Sequence, residues 1–199
     1  GEGGVYPMDR DFVHQLAVLC AERDWLLLVD EVQTGIGRTG TLFAYQQYGV
    51  LPDVVSFAKG IGGGLPLGGI LANEKCRSVL GPGMHATTFG GNPVSCAGGL
   101  SVLEQLDDAL LADVKKKGAY LKEKISAMPG VKEVRGMGLM LGVALTDQEG
   151  YSAKVNAMIE KGLLCLTAGH STIRLLPPLT ISQEEMDQGL AIMAEVLGA

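Results

Sequence analysis

Residues 25–40 read Trp25-Leu-Leu-Leu-Val29-Asp30-Glu31-Val32-Gln33-Thr34-Gly35-Ile-Gly37-Arg-Thr-Gly40. Trp25–Val29 is an unbroken apolar run that stops at the acidic pair Asp30-Glu31. A run of this length between helical patterns reads as a strand buried in a parallel sheet. The same design returns in Val54–Ala58, which ends at Lys59, and Gly69–Ala72 reads as a third strand. Helical signals lie around them. Pro7 and Asp9 precede Phe12, Val13, Leu16, Leu19 and Cys20, which keep helical spacing, and Asn92-Pro93 is an N-cap and first-turn proline for a helix to about Leu106.

The composition changes near Asp107. Leu110, Val114, Leu121 and Ile125 mark a long amphipathic helix that Pro129-Gly130 stops. Strands are expected over Val131–Arg135, Leu139–Leu145, Leu163–Leu166 and Thr172–Leu176, with a helix over Ser152–Lys161 capped by Gly162. Ser182 and Glu185 form a capping box for a last helix bearing Met186, Leu190, Met193 and Leu197. The expected organisation is a glycine-rich α/β segment over 1–108 and a smaller α+β domain over 109–199.

Composition excludes several classes. The net charge is -6, and the only dense cationic run is Lys115–Lys117, so no nucleic-acid footprint is present. No stretch approaches the roughly 18 apolar residues of a membrane span. Cys20, Cys76, Cys96 and Cys165, with His14, His85 and His170, match no metal-ligand spacing and no compact disulfide framework. Free thiols fit a reducing cytosol, and the expected location is cytoplasmic. The 29 glycines are about twice the usual share of roughly 7%. They cluster at 35–40, 60–69 and 90–91, where backbone has to pass close to something. The opening Gly1-Glu-Gly-Gly4 carries no signal pattern, and the chain is read as a portion of a longer protein.

Four places can carry chemistry. Asp30, a carboxylate at the end of an apolar strand, needs compensation. It caps a following helix, pairs with an arginine, or faces a protonated ring nitrogen. Lys59 is either a snorkelling surface lysine or an amine whose environment frees it to attack a carbonyl. In His85-Ala-Thr87-Thr88-Phe-Gly-Gly-Asn-Pro93, hydroxyls and glycine backbone ahead of a helix can donate to phosphate or carboxylate, although paired threonines also suit a strand end. Arg174, inside the apolar strand Thr172-Ile-Arg-Leu, is either a structural ion pair or a bidentate carboxylate grip. Gly35-Ile-Gly37-Arg-Thr-Gly40 spells the dinucleotide fingerprint, but it neither follows its strand directly nor has an acid about 20 residues on.

Taken in order, Val29–Gly40, Lys59 at 29 residues past Asp30, Gly62-Gly-Gly-Leu-Pro-Leu-Gly68, His85–Pro93, Val134-Arg-Gly-Met-Gly-Leu-Met140 and Ile173–Pro178 closely resemble the class III, ornithine-type aminotransferases. The resemblance implies an aspartate-aminotransferase-like (fold type I) α/β protein. Residues 1–108 would be part of the large mixed-sheet domain and 109–199 the small C-terminal domain. It implies pyridoxal 5'-phosphate as cofactor, with Lys59 holding it covalently and moving the proton. Asp30 would pair with the ring nitrogen and Val32 would pack on the ring. Gln33 would bond its phenolic oxygen, and Glu31 would count among the cofactor-binding residues. Thr88 would reach the phosphate in the neighbouring subunit, with Thr87 beside the substrate, so a homodimer with shared active sites is implied. Arg174 would grip the α-carboxylate of the substrate or of 2-oxoglutarate, and Glu2 would pair with Arg174 and switch its availability. Partners would be a small-molecule amino donor and 2-oxoglutarate/glutamate, without nucleic acid or membrane. Within the family the C-terminal stretch Leu163–Gly169 with Ile173–Ile181 is most like enzymes acting on N2-acetylornithine, while relatives acting on succinylornithine, ornithine or 4-aminobutyrate share nearly every one of these motifs. The family's phosphate-binding turn, ring-stacking aromatic and distal substrate arginine have no counterpart in these residues.

Overall fold

The computed structural model describes residues 1–147 and 149–198. Two compact units divide the chain. One is Met8–Leu111, and the other joins Gly1–Pro7 to Ala112–Ala199. The first seven residues therefore belong with the second unit, not with the segment that follows them. Glycine and polar residues give that stretch no periodicity from which its docking could be read.

In the unit 8–111, helix α1 (Arg10–Glu22) starts where the Asp9 side chain accepts from the Phe12 N–H. Strands β1 (Leu28–Asp30), β2 (Val54–Phe57) and β3 (Gly69–Ala72) form a sheet in that order. β1 and β2 are parallel, with Asp30 opposite Ser56, but β3 runs antiparallel to β2. The expectation of buried parallel strands is thus corrected: one pair is parallel, β1 is shorter than the apolar run Trp25–Val29 and exposed at Leu28 and Asp30, and all four β3 residues are exposed. Between β1 and β2 the chain makes a short helix α2 (Tyr45–Tyr48). After β3 comes α3 (Pro93–Gln105), whose Asn92 cap accepts from the Val94 and Ser95 N–H groups. A small core of Ile36, Phe43, Val55 and Ile61 sits under the loops.

Helix α4 (Asp108–Ser126) carries the boundary between the units. In the second unit, β4 (Val131–Met137), β5 (Met140–Leu145), β6 (Leu166–Ala168) and β7 (Thr172–Leu175) form an antiparallel sheet in the order β4-β5-β7-β6. Helices α5 (Tyr151–Glu160) and α6 (Gln183–Gly198) complete it. Its core is aliphatic and continuous, from Val114 and Ile125 through Leu141, Val143 and Ile173 to Met193. The capping box is present: the Ser182 N–H donates to Glu185 at 2.8 Å, and the Glu185 N–H donates to the Ser182 hydroxyl at 3.1 Å. The Ser182 N–H, and the Ser182 hydroxyl donating to the same carboxylate oxygen at 2.9 Å, hold the Glu185 carboxyl below its ordinary value.

Candidate active site

Asp30 is the last residue of β1, and Lys59 lies three residues past Ser56, its partner on β2. The two groups therefore stand at the carboxyl end of neighbouring parallel strands, where open α/β sheets present ligand sites. One Asp30 oxygen accepts the Val32 N–H at 2.9 Å, which fixes the carboxylate against the chain turning away from the sheet. Lys59 has φ +50°, a left-handed conformation that a non-glycine residue holds at a cost of about 1–3 kcal/mol. Among the described residues its ammonium makes no ion pair or hydrogen bond. Lys59 opens a 3-10 turn through Gly62, and α3 packs on that turn. Gly98 and Gly99 allow the approach: a Cβ on Gly99 would stand 2.5 Å from Leu67 Cδ2, and one on Gly98 would stand 3.1 Å from the Gly62 carbonyl oxygen.

The loop after β1 is held from within. Glu31 is 1% exposed, and its side chain accepts from the Thr34 hydroxyl and, at 2.8 Å, from the Tyr45 N–H. Its backbone bonds to Ser56 and Gly35, both at 2.9 Å. Both Glu31 carboxylate oxygens are spent inside the loop, where they brace the chain that carries Asp30, Val32 and Gln33. Gln47 braces the far side, donating to the Thr39 carbonyl and to the Thr39 and Thr41 hydroxyls at 2.9–3.0 Å. Burial of Arg38 in this loop lowers its pKa from the ordinary value. Val32 and Gln33 are half-buried at the sheet edge. Thr87 and Thr88 are exposed in the turn before α3, with the Thr87 hydroxyl accepting from the Gly90 N–H at 3.2 Å.

Arg174 and Glu2 belong to the other unit. Arg174 is 6% exposed on β7, and its Nη1 pairs directly with the Glu2 carboxylate, itself largely exposed. The Arg174 Nε is buried without a hydrogen-bond partner among the described residues, so one donor of the guanidinium is left unsatisfied. Glu2 reaches it because the Gly169 N–H holds the Glu2 carbonyl at 2.8 Å. Arg135 is a residue that the sequence reading passed over. Its Nε and Nη2 both donate to the Gly4 carbonyl, at 3.2 and 2.8 Å. Its strand, Val131-Lys-Glu-Val-Arg-Gly-Met137, carries charged residues at Lys132 and Glu133, so it lacked the apolar setting that singled out Arg174.

Residues 1–197 match the family described as aminotransferase class-III. The chain belongs to the class-III aminotransferase family. The acetylornithine aminotransferase of Caldanaerobacter subterraneus subsp. tengcongensis is 46% identical over 202 residues, covering 99% of this chain and 51% of the relative. That of Corynebacterium efficiens is 47% identical over 197 residues, covering 99% and 49%. The crystal structure of N-acetylornithine aminotransferase from Stenotrophomonas maltophilia K279a superposes with a TM-score of 0.90 at 36% identity, over 100% of this chain and 54% of that one. The ornithine aminotransferase from Plasmodium yoelii gives 0.89 at 32% identity, over 100% and 54%. This class-III chain thus spans about half the length of the curated relatives it matches, and its fold is that of the fold type I aminotransferases.

Proposed function

We propose that the natural protein is a pyridoxal-phosphate-dependent aminotransferase. It moves the δ-amino group of N2-acetylornithine to 2-oxoglutarate, leaving N-acetylglutamate semialdehyde and glutamate. The observation that carries the reading is Asp30 and an unpaired, backbone-strained Lys59 at the carboxyl ends of adjacent parallel strands. This donor set fits the cofactor, because a free amine suits an aldehyde and a fixed carboxylate suits a basic ring nitrogen. When bound, pyridoxal phosphate supplies an electron sink for the bond broken at the amino-bearing carbon.

The chain's own residues do the rest. Lys59 would hold the group through its Nζ and, once displaced, would take the proton from the substrate's amino-bearing carbon as base and give it up again as acid. Asp30 keeps a proton on the ring nitrogen. Val32 and Gln33 orient the ring, and Glu31 holds the loop that presents them. Arg174 binds a carboxylate through its planar fork, and Glu2 neutralises it when no such carboxylate is present. Thr88 reaches the phosphate bound by a second copy, with Thr87 beside the substrate, so the working form is a homodimer with shared sites. The exposure of both threonines accords with this.

Support for acetylornithine as donor comes from the names of relatives at 46% and 47% identity. The free cysteines accord with a cytoplasmic protein, and no described helix is long and apolar enough to cross a membrane. An amino-donor panel on the natural full-length protein tests the reading, with acetylornithine, succinylornithine, ornithine and 4-aminobutyrate. Acetylornithine is expected to give the highest kcat/KM. A preference for ornithine would move the protein toward the reaction named for the Plasmodium neighbour, and no transfer from any donor would defeat the proposal.

A further inference from the structure

Arg135, Gly142 and Arg174 lie on one row across the second sheet: Arg135 pairs with Gly142 on β5, and Gly142 pairs with Arg174 on β7. Directly opposed residues in antiparallel strands share a face, so two guanidiniums rise on either side of a position without a side chain. The segment Glu2–Tyr6 lies in that slot. A Cβ on Gly142 would come within 2.8 Å of both the Gly4 carbonyl oxygen and the Val5 Cβ, and one on Gly169 would come within 2.3 Å of the Gly3 carbonyl oxygen. Any larger residue at either place would expel the strap.

Arg135 closes the slot. Besides its two bonds to the Gly4 carbonyl, its Nη2 donates to the Thr172 hydroxyl at 3.1 Å, and that hydroxyl donates onward to the His170 carbonyl at 3.0 Å. Its Nη1 pairs with Glu133 at 2.9 Å, and its guanidinium lies 4.1 Å from the centre of the Tyr6 ring. Val5, between these anchors, is 4% exposed and holds φ +57°, a strain that only tight packing sustains. The carboxylate so presented belongs to Glu2, and it meets Arg174 two residues along β7 from Thr172, on the same face. Arg135 and Arg174 therefore grip opposite sides of one strap, the first by its backbone and the second by its acid.

We propose that Arg135 is a positioning residue that sets the Glu2–Arg174 pair, and through it the discrimination between donors presenting an ω-amino group and donors presenting an α-carboxylate. The proposal rests on the aminotransferase reading given above. Without the clamp, the Glu2 carboxylate loses its fixed place over Arg174, and a carboxylate-bearing donor competes for the guanidinium more freely.

The test uses the natural full-length protein and a cycle of Arg135→Met, Glu2→Gln and the double variant. Each is measured for the ratio of kcat/KM with glutamate to kcat/KM with acetylornithine. Arg135→Met is expected to raise the ratio on the order of tenfold, the scale of one hydrogen bond to a charged group, in the same direction as Glu2→Gln. In the Glu2→Gln background the Arg135 substitution is expected to change the ratio no further. Tyr6→Leu, which removes the ring and no charge, is the milder variant should Arg135→Met fail to fold, and it is expected to shift the ratio in the same sense. An unchanged ratio in the single variant, or an Arg135 effect that persists in full without Glu2, overturns the proposal.

Amide exchange at Gly169, whose N–H holds the Glu2 carbonyl, supplies a readout independent of catalysis. It is expected to quicken in Arg135→Met, and unchanged exchange would show that the strap does not depend on this clamp. If the unsubstituted protein transfers no amino group, the functional reading fails, and exchange at Gly169 alone still decides whether Arg135 holds the strap.

Discussion

Replacing Glu31 by alanine should release the loop that follows β1. The Glu31 carboxylate is 1% exposed and accepts from the Thr34 hydroxyl and the Tyr45 N–H, so truncation strands two donors inside the fold. Hydrogen bonds to a charged group contribute about 1.5–3 kcal/mol each, and losing two costs about 3–6 kcal/mol of local stability. Glutamine keeps the shape and an acceptor for Tyr45, while the Thr34 hydroxyl rotates to accept from the new amide, so Glu31→Gln should cost only about 1 kcal/mol. Amide exchange in the natural full-length protein reads the difference at Tyr45 and at Gly35, whose N–H bonds to the Glu31 carbonyl. A loss of about 3 kcal/mol corresponds to roughly a hundredfold faster exchange in Glu31→Ala, against less than about tenfold in Glu31→Gln. Cofactor retention should fall in the alanine variant and hold in the glutamine variant, because Asp30 and Gln33 ride on this loop. Equal exchange in the two variants would refute the assignment of Glu31 as the internal brace.

Other consequences are simpler to check. A Cβ on Gly118 would meet the Gly138 carbonyl oxygen at 2.1 Å, whereas one on Gly99 meets the tip of a flexible leucine at 2.5 Å, so Gly118→Ala should unfold in less urea than Gly99→Ala. Burial pushes the Cys165 thiol up to about 11, while Cys96 is exposed, so iodoacetamide near neutral pH should label Cys96 in the native protein and reach Cys165 only after unfolding. The Leu27 N–H at 2.8 Å and the Asn73 amide at 2.7 Å hold the Asp53 carboxyl below 3.8. A depressed folded value stabilises above the unfolded one and is lost as pH falls through it. Stability should therefore fall more steeply below about pH 4 in the unsubstituted protein than in Asp53→Asn, as read from denaturation midpoints down the acid series.

The sequence made β1 and β2 legible because their apolar runs stop dead at Asp30 and near Lys59, and the same stops placed the two groups at one sheet edge. Helix starts at Asp9, Asn92 and Ser182 were legible because each cap is a local side-chain bond. Long-range pairing was not. Nothing in Gly69–Ala72 tells that it returns antiparallel, and nothing in Gly1–Pro7 tells that it docks on a sheet more than a hundred residues later. The run Leu163–Leu166 was read as a strand, yet β6 is Leu166–Ala168. Gly162 and Leu163 instead close α5, donating to the Ile159 and Met158 carbonyls at 2.9 Å, so the apolar residue after the glycine is spent on the helix end. Helix α2 is four residues long and has no period to detect. Glu31, at the end of the β1 run, shows the same limit in the site. A charged residue in an apolar setting announces that it has a partner, but only the fold says whether the partner is a ligand or the chain itself.

Reduction of the cofactor-loaded natural protein with borohydride, followed by peptide mapping, bears most directly on the central claim. A pyridoxyl phosphate adduct is expected on Lys59, and none is expected in Lys59→Ala. An adduct confined to another lysine, or one that persists undiminished in that variant, would contradict the account.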